Sequence, residues 1–164
     1  MKRQLLRHTV ATLAYRADNA LRDAPGTFKD FRLSAASRTP LEIVSHLGDL
    51  MAWAERMARG EYRWIAEPAV DWTHACERCF NGIAALDAAL VTATFEVYSP
   101  EVIFQGPVAD ALTHVGQLTL LRGAAGAPVR PESYARAEIT VGRVGRDQSH
   151  TRQEFDGDAS RPRR

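Results

Sequence analysis

At 164 residues the chain is long enough to bury a proper core in one domain without disulfides or a structural metal as staples. Hydrophobic residues make up 45% and charged residues 25%, which excludes a disordered or fibrous chain and fits an ordinary globular one. A formal net charge of +1 gives no electrostatic ground for binding nucleic acid or an anionic membrane, so neither is expected as a partner.

No apolar run approaches the roughly 20 residues of a membrane span. The opening Met1-Lys-Arg-Gln-Leu-Leu-Arg-His8 is not followed by an unbroken apolar signal core. Two cysteines make no disulfide framework. The expectation is a cytoplasmic protein. Arginine supplies nearly all the positive charge, the only lysines being Lys2 and Lys29, which with the many alanines reflects codon usage more than chemistry.

The first predicted helix runs from Arg3 to about Asp23, with Leu6, Val10, Leu13, Ala17 and Leu21 as its apolar stripe and Arg7, Arg16 and Asp18 mostly off it. Ala24-Pro-Gly-Thr27 ends it, because proline cannot continue a helix and glycine tolerates the cap conformation. A linker with Phe28, Phe31 and Leu33 leads to the second helix. That helix starts at Thr39-Pro-Leu-Glu42, a capping box with proline at the first helical position. Ile43, Leu47, Leu50, Ala54 and Met57 form its stripe, and Gly60 stops it. His46 lies on the edge of that stripe. Glu42 and Asp49, one turn to either side, are candidates to hold its second ring nitrogen, as ligating histidines usually require. Both also read as solvated charges.

A connector from Glu61 to Val70 precedes a third helix, about Asp71 to Thr94, with Trp72, Cys76, Cys79, Ile83, Leu86 and Leu90 on one face. His74-Ala-Cys-Glu-Arg-Cys79 has the look of half a zinc knuckle or a redox pair. Yet both cysteines fall on the apolar stripe, His74 points away, no second pair completes a tetrahedral site, and no βαβ pattern surrounds it. The motif is read as structural.

Phe95 to Gly106 is expected as a connector packed across one end. The fourth helix is the stretch Val108 to Arg122, with Pro107 at its first position and Val108, Leu112, Val115 and Leu118 as its stripe. Beside that stripe lie Asp110, His114 and Gln117. Asp110 and His114 are four apart, one turn above each other on one face, and can grip one ion from two sides. A capping aspartate and a half-buried, hydrogen-bonded histidine is the competing explanation. After Gly123-Ala-Ala-Gly126 the chain continues as an irregular arm through Tyr134 to Gly142, carrying Glu138, and turns polar and basic from Gly145 onward.

Four amphipathic helices of roughly 20 residues joined by long connectors predict an all-α four-helix bundle with a short irregular C-terminal arm. Residues 1–148 are expected to form the bundle domain and 149–164 a flexible polar and basic tail. Bundles build metal sites between facing helices, and His46 with Asp110 and His114 would give two imidazoles and one carboxylate, leaving positions open for water or substrate.

Through Glu42-Ile-Val-Ser-His-Leu-Gly-Asp49 and Asp110-Ala-Leu-Thr-His-Val-Gly-Gln117 the chain resembles the DinB/YfiT-like superfamily of helical bundles, over roughly Arg7 to Gln148. Members commonly carry three histidines, one from the second helix and a His-x-x-x-His pair from the fourth. Here the first of that pair is Asp110. The resemblance implies a metal-dependent enzyme, such as a thiol-dependent S-transferase or a hydrolase, acting on a small molecule, with a low-molecular-weight thiol as a partner and a homodimer as the assembly. The metal ligands are then His46, Asp110 and His114, the ion zinc or nickel before iron or manganese. Gln117 and Glu138 are the candidates to orient substrate or move a proton. The other reading is a non-catalytic binding or stress-response bundle in which the same groups hold a structural ion, or none.

Overall fold

The computed structural model describes residues 1–149 and 151, and among these it contains helices and no strand. Of the expected tail, only Ser149 and Thr151 fall within the described residues. Four long helices, α1 (Lys2–Leu21), α2 (Pro40–Ala58), α3 (Trp72–Thr92) and α5 (Ala109–Ala124), pack together, with a single-turn helix α4 (Pro100–Ile103) before the last. The pair α2 and α3 has the most extensive contact, while α1 meets α3 and α5, and α2 meets α5. No helix is long and apolar enough to cross a membrane among the described residues.

α2 and α3 start where their sequences offer a cap, whereas α1 and α5 have no side-chain cap at their N-termini. Thr39 accepts from the Glu42 N–H while the Glu42 carboxylate takes the Thr39 N–H at 2.6 Å, the reciprocal box expected from the sequence. Asp71 accepts from the His74 N–H at the start of α3. The ends are just as specific. Beyond α2, Gly60 has φ +89° and the Gly60 and Glu61 N–H groups bond back to the Met57 and Arg56 carbonyls. This closure needs a left-handed residue, and it explains why the helix stops there.

The core is one cluster to which all four long helices contribute, Leu13 and Val10 from α1, Leu47, Leu50 and Met51 from α2, Ile83, Leu86 and Leu90 from α3, and Leu118 from α5. Side chains of this kind each contribute about 1.5–3 kcal/mol when fully buried. Gly82 lets α3 lie close against α2, because a Cβ there would stand 2.8 Å from Met51 Cβ.

Two features differ from the sequence reading. Helical structure begins before Pro107, at Ser99-Pro100, where Ser99 accepts from the Val102 N–H and proline again takes the first position. The chain then passes through a wide turn, Phe104–Val108, in which Gly106 leaves helical geometry (φ −86°, ψ −107°), and only then enters α5. Pro107, with no N–H to donate, sits inside that kink instead of opening a helix. Second, Asp18 is buried, paired with Arg22 one turn on and 4.0 Å from Arg146 of the C-terminal arm. The arm lies along α1, with Tyr134 edge-on to Tyr15 and beneath Arg16.

Buried charges tie the helices to one another. Arg7 of α1 holds Asp87 of α3 through two hydrogen bonds of 2.9 and 2.8 Å. Arg78 of α3 pairs with Asp49 of α2 and donates to the Ser45 carbonyl, and it also meets Glu67 of the connector at 3.1 Å. Arg122 of α5, buried, donates to the Ala20 and Arg22 carbonyls at the end of α1 and to Ala127.

Candidate metal centre

The contact of α2 with α5 brings together the three residues singled out by spacing. His46 stands two turns into α2, and Asp110 and His114 occupy the first turns of α5. One ligand atom from each lies within 4.8 Å of the others. The Asp110 carboxylate straddles the imidazoles, Oδ1 lying 3.5 Å from His114 Nε2 and Oδ2 3.9 Å from His46 Nε2. The two rings are perpendicular, with centroids 4.8 Å apart. Donors around a tetrahedral zinc ion with bonds of 2.0–2.2 Å stand about 3.3–3.5 Å from one another. Side-chain movements of under about 1 Å would close this triad on one ion, so the donor set fits a divalent metal in both chemistry and reach.

Gln117, one turn after His114, completes the set in a way that sequence spacing alone does not assign. Its Oε1 lies 2.8 Å from His114 Nδ1. An amide oxygen only accepts, so Nδ1 carries a proton, and in the neutral imidazole the lone pair is then on Nε2, facing Asp110 and His46. A hydrogen bond on the nitrogen away from the site is what fixes the tautomer of a ligating histidine. Gln117 is therefore a positioning group for His114 in this geometry.

His46 is held below the ordinary imidazole range, first by burial, then by the fields of His114 and Arg38, against the opposing pull of Asp110 and Asp49. Its neutral form, the one with a lone pair to give, is favoured near neutral pH. Neither carboxylate expected to hold its ring does so. Glu42 is engaged by the Thr39 cap and by Arg32, and Asp49 by Arg78 and the Glu67 N–H. A ring holds it instead: Trp64 of the connector packs edge-on against His46 at 5.7 Å, and Trp64 in turn meets Trp53, which meets Tyr62. The Asp49–Arg78–Glu67 node fastens that connector down three residues later. Trp64 thus walls one side of the site, a role that no periodicity in the connector reveals.

The open side is a cleft of about 560 Å³, lined by the triad, Gln117, Arg38 and the aliphatic side chains of Leu33, Ile43, Leu120 and Leu121. Arg38 had no signal in the sequence beyond preceding a helix cap. Glu138 is exposed on the C-terminal arm and does not line this cleft. Cys76 and Cys79 are buried free thiols among apolar neighbours, pushed by burial up to about 11 and about 12, which makes them poor nucleophiles and poor ligands. His74, at the surface, takes part in a separate groove between α2 and α3 with Glu77 and Arg78.

Comparison with known protein families, with curated proteins and with solved structures gives no match.

Proposed function

We propose that this chain is a metal-dependent enzyme of the DinB/YfiT-like kind, a thiol-dependent S-transferase or a hydrolase acting on a small molecule, with His46, Asp110 and His114 as ligands of one divalent ion. The observation that carries it is the convergence of two imidazole nitrogens and a carboxylate, with His114 Nδ1 already held by Gln117 so that Nε2 faces inward. Three protein donors leave coordination positions toward the cleft, the feature that separates a catalytic site from a closed structural one. A divalent ion bound there supplies Lewis acidity, lowering the pKa of a coordinated water or thiol toward neutrality. The chain's own part is narrower. Asp110 bridges the two imidazoles, Gln117 fixes the His114 tautomer, Trp64 shields one face of His46 from water, and the aliphatic lining of the cleft receives the substrate's apolar part. Zinc and nickel suit two imidazoles and a carboxylate, as do iron and manganese, so the donor set alone does not choose the metal.

A second reading has its own support. Gln117 is used by His114, the Ser37 hydroxyl at the cleft edge donates to the Ser34 carbonyl, and Glu138 does not line the cleft, so among the described residues no free proton-transfer group beyond the triad lines it. That favours a bundle that binds an ion and a small molecule without turning it over. Metal stoichiometry separates both from a metal-free hydrogen-bonded cluster. Tag-free protein dialysed against zinc should carry close to one ion per chain, and His114→Ala should lose it while keeping the wild-type helical circular dichroism. Full zinc occupancy in His114→Ala would remove the basis for this assignment.

A further inference from the structure

Three cations of the connector before α2, Lys29, Arg32 and Arg38, differ in company. Lys29 meets Asp30 at 2.6 Å and Arg32 meets Glu42 at 3.5 Å. Arg38 has no carboxylate or hydrogen-bond partner among the described residues, although it lines the same cleft as the triad. Around it, Leu33 and Leu120 are more than half exposed, at 59% and 65%, and they share the cleft lining with Ile43 and Leu121. A cleft with a guanidinium unpaired among the described residues and several aliphatic walls is suited to a molecule with an apolar body and an oxyanion.

The charge balance points the same way. With both imidazoles neutral, as ligands must be, Asp110 offsets only half of a divalent ion's charge, and Arg38 adds a further positive charge to the cleft wall. Among the described residues nothing else charged lines that wall. We infer that Arg38 is the anchor for an anionic group on the small molecule taken by this site, whose ligands are aliphatic compounds bearing a carboxylate or phosphate. The inference rests on the metal reading above, because without the ion Arg38 and Asp110 cancel and the cleft has no preference for anions. Arg38 acts on the bound molecule and not on the metal. Its guanidinium can present two parallel N–H donors to an oxyanion, a geometry that lysine lacks.

The test uses zinc-loaded protein and three probes with one tail, hexanoate, hexyl phosphate and neutral hexanamide, titrated by calorimetry with the zinc content of each sample measured alongside. Wild type should bind hexanoate or hexyl phosphate at least about tenfold more tightly than hexanamide, and the preferred probe tells a carboxylate ligand from a phosphate one. Arg38→Gln should keep one zinc per chain and its affinity for hexanamide, yet lose most of the preference for the anion. Arg38→Lys should keep an intermediate share. Because Arg38 is exposed, these variants leave the core untouched. An anion preference that is undiminished in zinc-loaded Arg38→Gln, or absent from zinc-loaded wild type, overturns the inference and leaves the metal site standing. Failure of the wild type to take up zinc overturns both, and the stoichiometry shows which has occurred.

Discussion

Charged and polar side chains meet between helices in two different ways in this molecule. At the α1–α3 and α2–α3 contacts the buried carboxylates Asp87 and Asp49 are answered by arginines. Arg7 grips Asp87 with two hydrogen bonds, and Arg78 takes Asp49, Glu67 and a backbone carbonyl. At the α2–α5 contact, by contrast, Asp110 faces two imidazoles at 3.5 and 3.9 Å, beyond good hydrogen-bond length, and half of its side chain remains exposed. The first kind of cluster is complete as protein. The second is a set of donors aimed at a common point beside an open cleft. Helix-to-helix polar contact is thus no mark of function in itself; what distinguishes the site is the geometry of the lone pairs.

The sharpest way to break that distinction is to truncate one carboxylate of each kind in metal-free protein. Asp87→Ala leaves the Arg7 guanidinium largely buried without its partner, and urea unfolding should show a loss of about 3 kcal/mol or more. Asp110→Ala removes a half-exposed group whose basic neighbours are the imidazoles at 3.5 and 3.9 Å and should cost less than about 1 kcal/mol. Zinc then reverses the order of interest. At a free concentration 100 times its dissociation constant, it should stabilise wild type and Asp87→Ala by about 2.7 kcal/mol and Asp110→Ala by far less. Equal losses in the two metal-free variants would show that Asp110 is structural after all.

A smaller effect sharpens the role of Gln117. If its amide fixes the His114 tautomer, Gln117→Leu should lower zinc affinity by about 10- to 100-fold, the usual cost of losing such a partner, with stability of the metal-free protein little changed. Competition against a chelator of known affinity reads this directly. An unchanged affinity would mean that the 2.8 Å contact is incidental to metal binding.

Much of this is legible in the sequence. Periodicity and caps gave the four long helices, because Thr39-Pro-Leu-Glu42 and the apolar stripes are local signals that the tertiary structure had no reason to override. The same logic brought His46, Asp110 and His114 into one proposal, since i, i+4 spacing sets two of them on one face and only the packing of α2 on α5 was needed for the third. The errors have a common cause. Asp18 falls off the apolar stripe of its helix and Asp49 reads either as a support for His46 or as a solvated charge, but both are buried, Asp18 against Arg22 with Arg146 at 4.0 Å and Asp49 against Arg78, and partners as distant in sequence as Arg146 and Arg78 leave no periodic trace. Trp64 and Arg38 reach the site from connectors, where side-chain direction depends on loop geometry. Pro107 misled for a local reason, as Ser99-Pro100 places a cap and a proline seven residues earlier and helical structure starts there, with Gly106 absorbing the kink before α5.

The subtlest test concerns protons at His46. Burial, His114 and Arg38 lower its pKa, while Asp110 and Asp49 raise it. In metal-free protein its imidazole signal should therefore titrate below the ordinary value of 6.5. Arg38→Gln should move that midpoint up, and Asp110→Asn should move it further down. The sign of the linked stability follows. Above the unfolded imidazole value neither state holds the proton and the contribution is fully present; as pH falls through the lowered folded value, the unfolded chain has taken up a proton that the native site resists, and that stability is lost. Acid should thus weaken the metal-free fold in this window, and less so in His46→Gln, which has nothing to titrate. It should weaken zinc binding as well, since each ligand must shed its proton, but at His46 the folded environment has already disfavoured the proton that the ion would have to displace. A midpoint at or above 6.5 would place His46 with the answered charges of the helix contacts, as a histidinium paired to Asp110, and the contrast between the two kinds of contact would collapse.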